Sequence, residues 1–236
     1  GRLIFLELDL SDLRSMRKAA EEFMVKETRL DVLVNNAGVM IPPTNELTAQ
    51  GYDLQFGTNV LGHYLLTELL LPVLTASHIH TSQPARIIHV SSSAHDRAPK
   101  REVLLDSLKG GPKRDALIKK TLYGSSKLGN IVISKYFATT QLAEVLVSCA
   151  LHPGLIQSGI QRHAPALLKL AAGLVFPSPH VKAYTQLWAA TCAAPESVNG
   201  KYFVPVGVEK VPGGRTRDGE MKAEMMRWIK EAVKEF

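Results

Sequence analysis

Tyr123 and Lys127 are the two residues whose types and spacing most clearly suggest chemistry, and they bracket the segment Tyr-Gly-Ser-Ser-Lys. Side chains four residues apart on a helix lie on one face, one turn from each other. A lysine ammonium beside a phenol favours the phenolate, which predicts that the pKa of Tyr123 falls below its usual value of ~10. Such a phenol can donate or accept a proton near neutral pH. A surface tyrosine and lysine without a function would show the same spacing, so the pattern alone leaves both interpretations open.

Small and hydrogen-bonding residues follow three apolar runs of the sequence. They are Asn35-Asn-Ala-Gly38, Ser91-Ser-Ser93 and His152-Pro-Gly154, and the Tyr123 segment comes after the second of them. In open α/β sheets, ligands bind outside the carboxyl ends of the strands. The three segments and the Tyr123 helix are therefore predicted to meet at one site.

The elements that must position these residues alternate between strand and helix along the chain. The predicted strands are apolar without polar alternation, which is typical of parallel strands covered on both faces. We therefore predict one domain over residues 1–236, an α/β fold with a doubly wound, Rossmann-type parallel sheet. The predicted strands are Leu3–Leu8, Asp31–Asn35, Arg86–Ser91, Glu144–Leu151 and Lys201–Val204. The predicted helices are Ser11–Lys26 with Ser11 as N-cap, Ala49–Leu74, Tyr123–Gln141, Val181–Ala193 and Asp218–Val233.

Taken together, these motifs resemble the signatures of the short-chain dehydrogenase/reductase family. The resemblance rests on Asn35-Asn-Ala-Gly38, a serine at a strand end, the Tyr123 and Lys127 pair, and the Pro153-Gly154 turn, and it covers nearly all of the chain. The segments HVSSSAH, YGSSKLGN, ALHPG and GKYFVPVG are most similar to retinol-dehydrogenase-like and fungal members. The resemblance implies hydride transfer between a nicotinamide cofactor and a carbonyl or alcohol, with the protein positioning the cofactor.

The resemblance also implies four catalytic residues. Tyr123 would be the general acid/base, and Lys127 would hold the nicotinamide ribose and lower the pKa of Tyr123. Ser92 would hydrogen-bond the substrate oxygen, although the serines on either side of it are alternatives. Asn59 would support a water in a proton relay; the alternative is a capping or core amide.

Further residues are implied to bind the cofactor, in addition to Tyr123 and Lys127. Asp9 would receive the adenine amino group, unless it is only a loop or N-cap acid. Asn36 and Gly38 would line the adenosine ribose. Ile156 and Ser158 would contact the nicotinamide amide, with Ser158 where the family usually has threonine.

The family's glycine-rich turn, TGxxxGIG, does not occur in this sequence. We therefore expect an N-terminally truncated sheet with its first two strands absent, and Leu3–Leu8 as the third. The chain would be either a fragment of an active enzyme or a truncated protein that binds its cofactor weakly, since that turn places the pyrophosphate at a helix N-terminus. NADP(H) is favoured over NAD(H), although the residues that decide between them would lie outside this chain.

Most of the net charge of +6 comes from residues 97–121, which include eight basic and three acidic residues. Such a segment can bind nucleic acid or anionic lipid, but no aromatic residue interleaves the charges, so a solvated loop without a nucleic-acid partner is favoured. His78 and His80 lack an evident third ligand, so no metal site is predicted.

The remaining composition bears on location and partners. Two cysteines, Cys149 and Cys192, give no disulfide framework and indicate a reducing, cytoplasmic compartment. No signal peptide and no bilayer-spanning stretch are apparent, so no integral membrane segment is predicted. Residues 157–180 are mostly apolar, which indicates a lid over a hydrophobic small-molecule substrate such as a steroid-like, retinoid-like or secondary-metabolite compound, or a segment that packs on its own domain. The sequence leaves a monomer and a homo-oligomer as alternatives.

Three functions follow. The first is an NAD(P)(H)-dependent oxidoreductase that interconverts a carbonyl and an alcohol. The alternative is a catalytically silent scaffold or binding protein of the same fold. The third is an anion-binding or nucleic-acid-binding protein that uses residues 97–120.

Overall fold

A five-stranded sheet lies at the centre of the fold, in the order β1-β2-β3-β4-β5. The computed structural model describes residues 2–140, 142, 144–154 and 183–236. Strands β1 to β4 run parallel and β5 pairs antiparallel with β4. Their bounds are Val32–Asn35, Ala85–Val90, Leu146–Leu151, Tyr202–Val204 and Val208–Glu209. The first four match predicted strands to within two residues at each end, and the short β5 was not predicted.

Side-chain caps explain where two of the helices begin. The bounds of the helices are α1 Leu13–Lys26, α2 Leu54–Thr81, α3 Arg101–Asp106, α4 Pro112–Asp115, α5 Lys119–Ala138, α6 Tyr184–Leu187, α7 Pro195–Val198 and α8 Gly219–Val233. The N-cap of α1 is Asp12 rather than Ser11, because the Asp12 carboxylate accepts a hydrogen bond from the Arg14 N–H. Helix α2 begins later than predicted because Asp53 caps the N–H groups of Gln55 and Phe56.

Both faces of the sheet are covered, as the apolar strands predict. Ile87 of β2 points into a large core between the sheet and helices α1, α2, α5 and α8. Its neighbour Ile88 points to the other face, into a second core that includes Cys149, Ala189 and Phe203. Successive residues of a strand face opposite sides, so the burial of both confirms the doubly wound arrangement.

The prediction of a strand at Leu3–Leu8 is wrong. These residues form no strand in the structure, and β1 pairs only with β2 among the described strands. Leu3 is fully exposed and Phe5 is 86% exposed. An apolar run forms a strand only when a neighbouring strand accepts its backbone hydrogen bonds, and none of the described strands lies beside this one.

The sequence-based expectation that no stretch is long enough to span a bilayer also needs correction. Helix α2 is long and apolar enough by length and composition, with a mean hydropathy of 1.4 over its most apolar window. However, 67% of that window is buried inside the protein. We therefore interpret α2 as the core helix between the sheet, α1 and α5.

Several basic residues of segment 97–120 pair within the protein. Arg114 donates from Nε to the Asp53 carboxylate at 2.9 Å, and both side chains are almost fully buried. Arg101 pairs with Glu220 and Glu224 of α8. Part of the charge that suggested an anionic partner, Arg101 and Arg114, thus holds the segment onto the fold.

The Arg114–Asp53 pair gives a stability prediction. Arg114→Met leaves the Asp53 carboxylate buried and uncompensated, so we expect the free energy of unfolding to fall by about 3–5 kcal/mol. Lys113→Met is the control, because Lys113 pairs with Asp106 while 71% exposed, and it should cost less than about 1 kcal/mol. Urea unfolding measures the free energy of unfolding of both variants. Equal decreases in the two variants would contradict a stabilising role for the Arg114–Asp53 pair.

Candidate active site

Lys127 is buried at the carboxyl end of β2 and is held there by two backbone contacts. Its Nζ donates to the carbonyl of Val90, the last residue of β2, at 2.9 Å. The Ser91 hydroxyl in turn donates to the Lys127 carbonyl at 2.7 Å. Burial lowers the pKa of Lys127 to about 8, so the ammonium form predominates at pH 7. One of its three protons is directed to Val90, which leaves two for a ligand.

Tyr123 lies one turn earlier on α5, with the Lys127 ammonium 5.7 Å from the centre of its ring. Burial raises the pKa of Tyr123 to about 12, and a hydrogen bond with Ser92 opposes that rise. The prediction that Lys127 pulls the pKa of Tyr123 below ~10 is therefore wrong for this structure, because desolvation disfavours the phenolate more than its surroundings stabilise it. Tyr123 is therefore a neutral phenol at pH 7.

The three neighbouring serines differ in their surroundings. Ser92 is the one that meets the Tyr123 hydroxyl, and its Oγ also accepts from the Ala94 N–H at 3.2 Å. Ser91 is buried and bonded to the backbone of α5, and Ser93 is exposed. Helix α5 approaches this turn closely at Gly124, where a Cβ would stand 2.7 Å from the Ala94 carbonyl oxygen. Any larger residue there would push Tyr123 away from Ser92.

Asn59 clamps the segment after β1 against α2 and α5. Its side chain accepts from the Val39 N–H at 2.9 Å and donates to the Val39 carbonyl and to the Ser126 hydroxyl, each at 3.0 Å. A Cβ at Gly38 would lie 2.5 Å from the Asn59 side-chain oxygen, so a larger residue would displace that side chain. The side-chain hydrogens of Asn59 are thus engaged by protein partners.

The other two described cofactor candidates lie at exposed positions. Asn36 is exposed immediately after β1. Asp9 is also exposed, and its Oδ1 accepts from the N–H and the hydroxyl of Ser11 at 2.9 Å and 2.7 Å. The next residue, Leu10, packs against α2 at Gly62, one turn beyond Asn59. Asp9 therefore lies near the same end of α2.

Ile156 and Ser158 lie outside the described residues, as does the predicted lid at 157–180. The segment that leads to them leaves β3 at His152. The Gly154 N–H donates to Nδ1 of that histidine at 3.4 Å. Gly154 has a φ of +90°, a backbone conformation that residues other than glycine rarely adopt.

His95 is a residue that the sequence analysis missed. Its Nδ1 lies 2.6 Å from the Ser92 carbonyl oxygen, and its Nε2 accepts from the Gly213 N–H at 3.1 Å. A carbonyl only accepts and an N–H only donates, so Nδ1 donates and Nε2 accepts in these two contacts. The Asp96 carboxylate also lies 3.3 Å from Nε2. The His95 ring is buried edge-on to Tyr202 and fixes the backbone of Ser92. Its position three residues after Ser92 could have indicated the contact to Ser92. The contact to Gly213 could not have been predicted, because Gly213 is distant in sequence.

Two further buried histidines lie near Lys127 and add no charge. Burial and then the Lys127 charge lower the pKa of His63 to about 3. Burial and then His63 lower the pKa of His89 to about 3. Within the described ranges, no group of three His, Cys, Asp or Glu residues is arranged to hold a metal ion.

The phenol of Tyr123, the hydroxyl of Ser92 and the ammonium of Lys127 lie together at the carboxyl end of β2. The phenol and hydroxyl suit a substrate oxygen, since both can donate a hydrogen bond to it. The two free protons of Lys127 suit the paired hydroxyls of a ribose. The donor set thus fits the nicotinamide end of a dinucleotide.

Comparison with known proteins agrees with this geometry. The sequence model of the family described as short chain dehydrogenase matches residues 1–104. A short-chain dehydrogenase/reductase of Armillaria gallica is 40% identical over 234 residues, which cover 99% of this chain and 74% of that protein. Human retinol dehydrogenase 14 is 37% identical over 209 residues, which cover 86% of this chain and 59% of that protein.

The fold has solved counterparts as well. The crystal structure of an uncharacterized protein from Mycobacterium paratuberculosis superposes with a TM-score of 0.71 at 30% identity, covering 99% of this chain and 76% of that one. The likeness in sequence and in structure thus extends over nearly the whole chain. The protein belongs to the short-chain dehydrogenase/reductase family, whose members are oxidoreductases that use nicotinamide cofactors.

Proposed function

We propose that this protein interconverts a carbonyl and an alcohol with NAD(P)(H), and that Tyr123 is its general acid/base. The observation that carries the proposal is the meeting of three side chains at the end of β2. The phenol of Tyr123 contacts Ser92, and the ammonium of Lys127 lies beneath the phenol ring. When bound, the nicotinamide supplies or accepts the hydride.

The chain's own residues handle the proton. In the direction of reduction, Tyr123 donates its phenolic proton to the substrate oxygen, and its pKa of about 12 keeps that proton available across the physiological range. Ser92 hydrogen-bonds the same oxygen and orients it. The ammonium of Lys127 stabilises the phenolate that forms as the proton leaves. Oxidation of an alcohol runs the same transfer in reverse.

Residues at the strand ends would hold the cofactor. Lys127 would bind the ribose beside the nicotinamide with its two remaining protons. Asn36 and Gly38 would line the adenosine ribose, and Asp9 would receive the adenine amino group through Oδ2, since Oδ1 is taken by Ser11. Asn59 would act by positioning α5 through Ser126.

The substrate is proposed to be a hydrophobic small molecule. Two observations support this class. Residues 157–180, which include the proposed nicotinamide contact Ser158 and follow Ile156, are mostly apolar. A relative at 37% identity is named for retinol, an apolar alcohol.

Removal of the Tyr123 hydroxyl tests the acid/base role. Tyr123→Phe keeps the ring, so we expect turnover in the full protein to fall at least ~100-fold, the usual scale of general acid/base catalysis. Tyr184→Phe, at a side chain 54% exposed, is the control and should keep full activity. Steady-state assays with NAD(P)H and a hydrophobic ketone give both values. Near-parental turnover by Tyr123→Phe would rule out the mechanism.

The pKa values give a pH prediction. The ammonium of Lys127 is present below its pKa of about 8 and is lost above it, whereas Tyr123 stays protonated until about 12. Reduction by the parent should therefore slow as pH rises through about 8. Lys127→Met should be slower than the parent below pH about 8 and lack that fall. Lys120→Met, a change at an exposed residue in the first turn of α5, should keep it. Coincident pH–rate profiles for Lys127→Met and the parent would show that Lys127 does not tune the proton transfer.

His95 should act as a positioning residue for Ser92. His95→Asn keeps a donor where Nδ1 stands, whereas His95→Gln keeps only an acceptor for the Gly213 N–H. We expect His95→Gln to lower kcat about tenfold with little change in KM, the cost of about one hydrogen bond, and His95→Asn to recover most of it. If both variants reduce kcat alike while keeping the parental melting temperature, the contact to the Ser92 carbonyl does not position the hydroxyl.

A further inference from the structure

A cavity of about 380 Å³ opens beside the C-terminal half of α5, apart from the catalytic site. Its floor combines apolar side chains with three hydroxyls. Ser134, on this floor, follows Lys127 by seven residues, which is about two helical turns or roughly 10 Å along the axis. The lining residues that form the floor are Ile131, Ser134, Ala150, Tyr202, Pro212 and Thr216.

The rim of this cavity is strongly basic. Five basic side chains and one carboxylate line it: Lys135, Lys201, Lys210, Arg217, Lys222 and Glu209. Lys201 pairs with Glu209 at 2.9 Å, and Lys135 donates to the Gly200 carbonyl at 3.0 Å. Lys210, Arg217 and Lys222 have no side-chain hydrogen bond or ion pair within the part of the chain that the structure describes.

Lys210, Arg217 and Lys222 differ in this respect from the paired arginines of the basic segment at 97–120. There, Arg101 and Arg114 each contact two carboxylates. Like charges that line one cavity repel each other, and an anion placed among them would replace that repulsion by attraction. A partner anion is the simplest group that this rim would stabilise.

The cavity is preformed, because its walls are tied to the fold. The loop that carries Pro212 and Arg217 is fixed by the Gly213 N–H, which donates to the buried His95 ring at 3.1 Å. The opposite wall is the rigid surface of α5 and β3. A concave, mostly apolar site with a few convergent polar groups is the usual form of a small-molecule pocket.

We propose that this cavity binds a small organic anion, with its phosphate, sulfate or carboxylate group between Lys210, Arg217 and Lys222 and its apolar body on the floor. The site requires no cofactor and is separate from the site of the proposed reaction. It can therefore be tested whether or not the proposed activity is observed.

Phenyl phosphate is a suitable probe, since it joins a dianion to an apolar ring. Isothermal titration of the full chain should give one saturable site with a dissociation constant of about 1 mM or below. Inorganic phosphate, which has no apolar body, should bind at least about fivefold more weakly, and benzyl alcohol, which has no charge, should not bind measurably.

A matched pair of triple variants locates the site. K210Q/R217Q/K222Q should weaken phenyl phosphate binding at least about tenfold. R97Q/K100Q/K120Q removes the same one arginine and two lysines from exposed positions that do not line the cavity, and it should change affinity less than about twofold. If K210Q/R217Q/K222Q melts early, the exposed single changes K210Q and R217Q replace it and should each weaken binding measurably.

Three results would overturn the proposal. Absence of saturable phenyl phosphate binding would mean that the cavity takes no organic anion. Equal weakening by the two triple variants would mean that binding reflects net charge alone. Equal affinity for inorganic phosphate and phenyl phosphate would mean that the apolar floor contributes nothing to recognition.

Discussion

The burial of one ammonium group fixes the geometry on which the proposed chemistry depends. A charged lysine can stay in the interior only where hydrogen-bond acceptors replace water, and Lys127 finds one in the Val90 carbonyl at the end of β2. The Ser91 hydroxyl makes a second bond to the same turn of α5. These contacts set the register between helix and strand. As a result, Tyr123, one turn earlier, stands against Ser92 rather than against solvent.

The rest of the fold holds that register from the other side of α5. Asn130 donates to the Asn59 carbonyl at 2.6 Å, and the Asn59 side chain donates to Ser126, so α5 and α2 are bonded twice. The Asn59 side chain also holds the backbone of Val39 after β1. Gly38 lets the segment after β1 approach Asn59 of α2, and Gly124 lets α5 approach the turn after β2. The polar contacts between these elements thus position the site, while the two apolar cores hold the layers together.

The sequence predicted those features of the fold and the site that depend on local residue patterns. The apolar runs of β2 and β3, the spacing of Tyr123 and Lys127, and the small residues after three strands are all local signals. The strand predicted at Leu3–Leu8 failed because a strand needs a neighbour that hydrophobicity does not reveal. The acceptor for Arg114 and the donor to His95 lie 61 and 118 residues away, so no local pattern could identify them. The direction of the Tyr123 pKa shift was predicted wrongly. Helix spacing indicates which side chains meet, but not how far the site is desolvated.

Burial, rather than the neighbouring lysine, sets the protonation of the Tyr123 phenol in this structure. Solution NMR of protein labelled with 13C at the tyrosine Cζ carbon reads this directly, and Tyr123→Phe assigns the resonance by its loss. The structure predicts that the Tyr123 signal keeps the shift of a neutral phenol from pH 7 up to the usual tyrosine pKa of ~10, because the pKa lies at about 12. A Tyr123 resonance that moves to the phenolate position below pH ~10 would contradict the account.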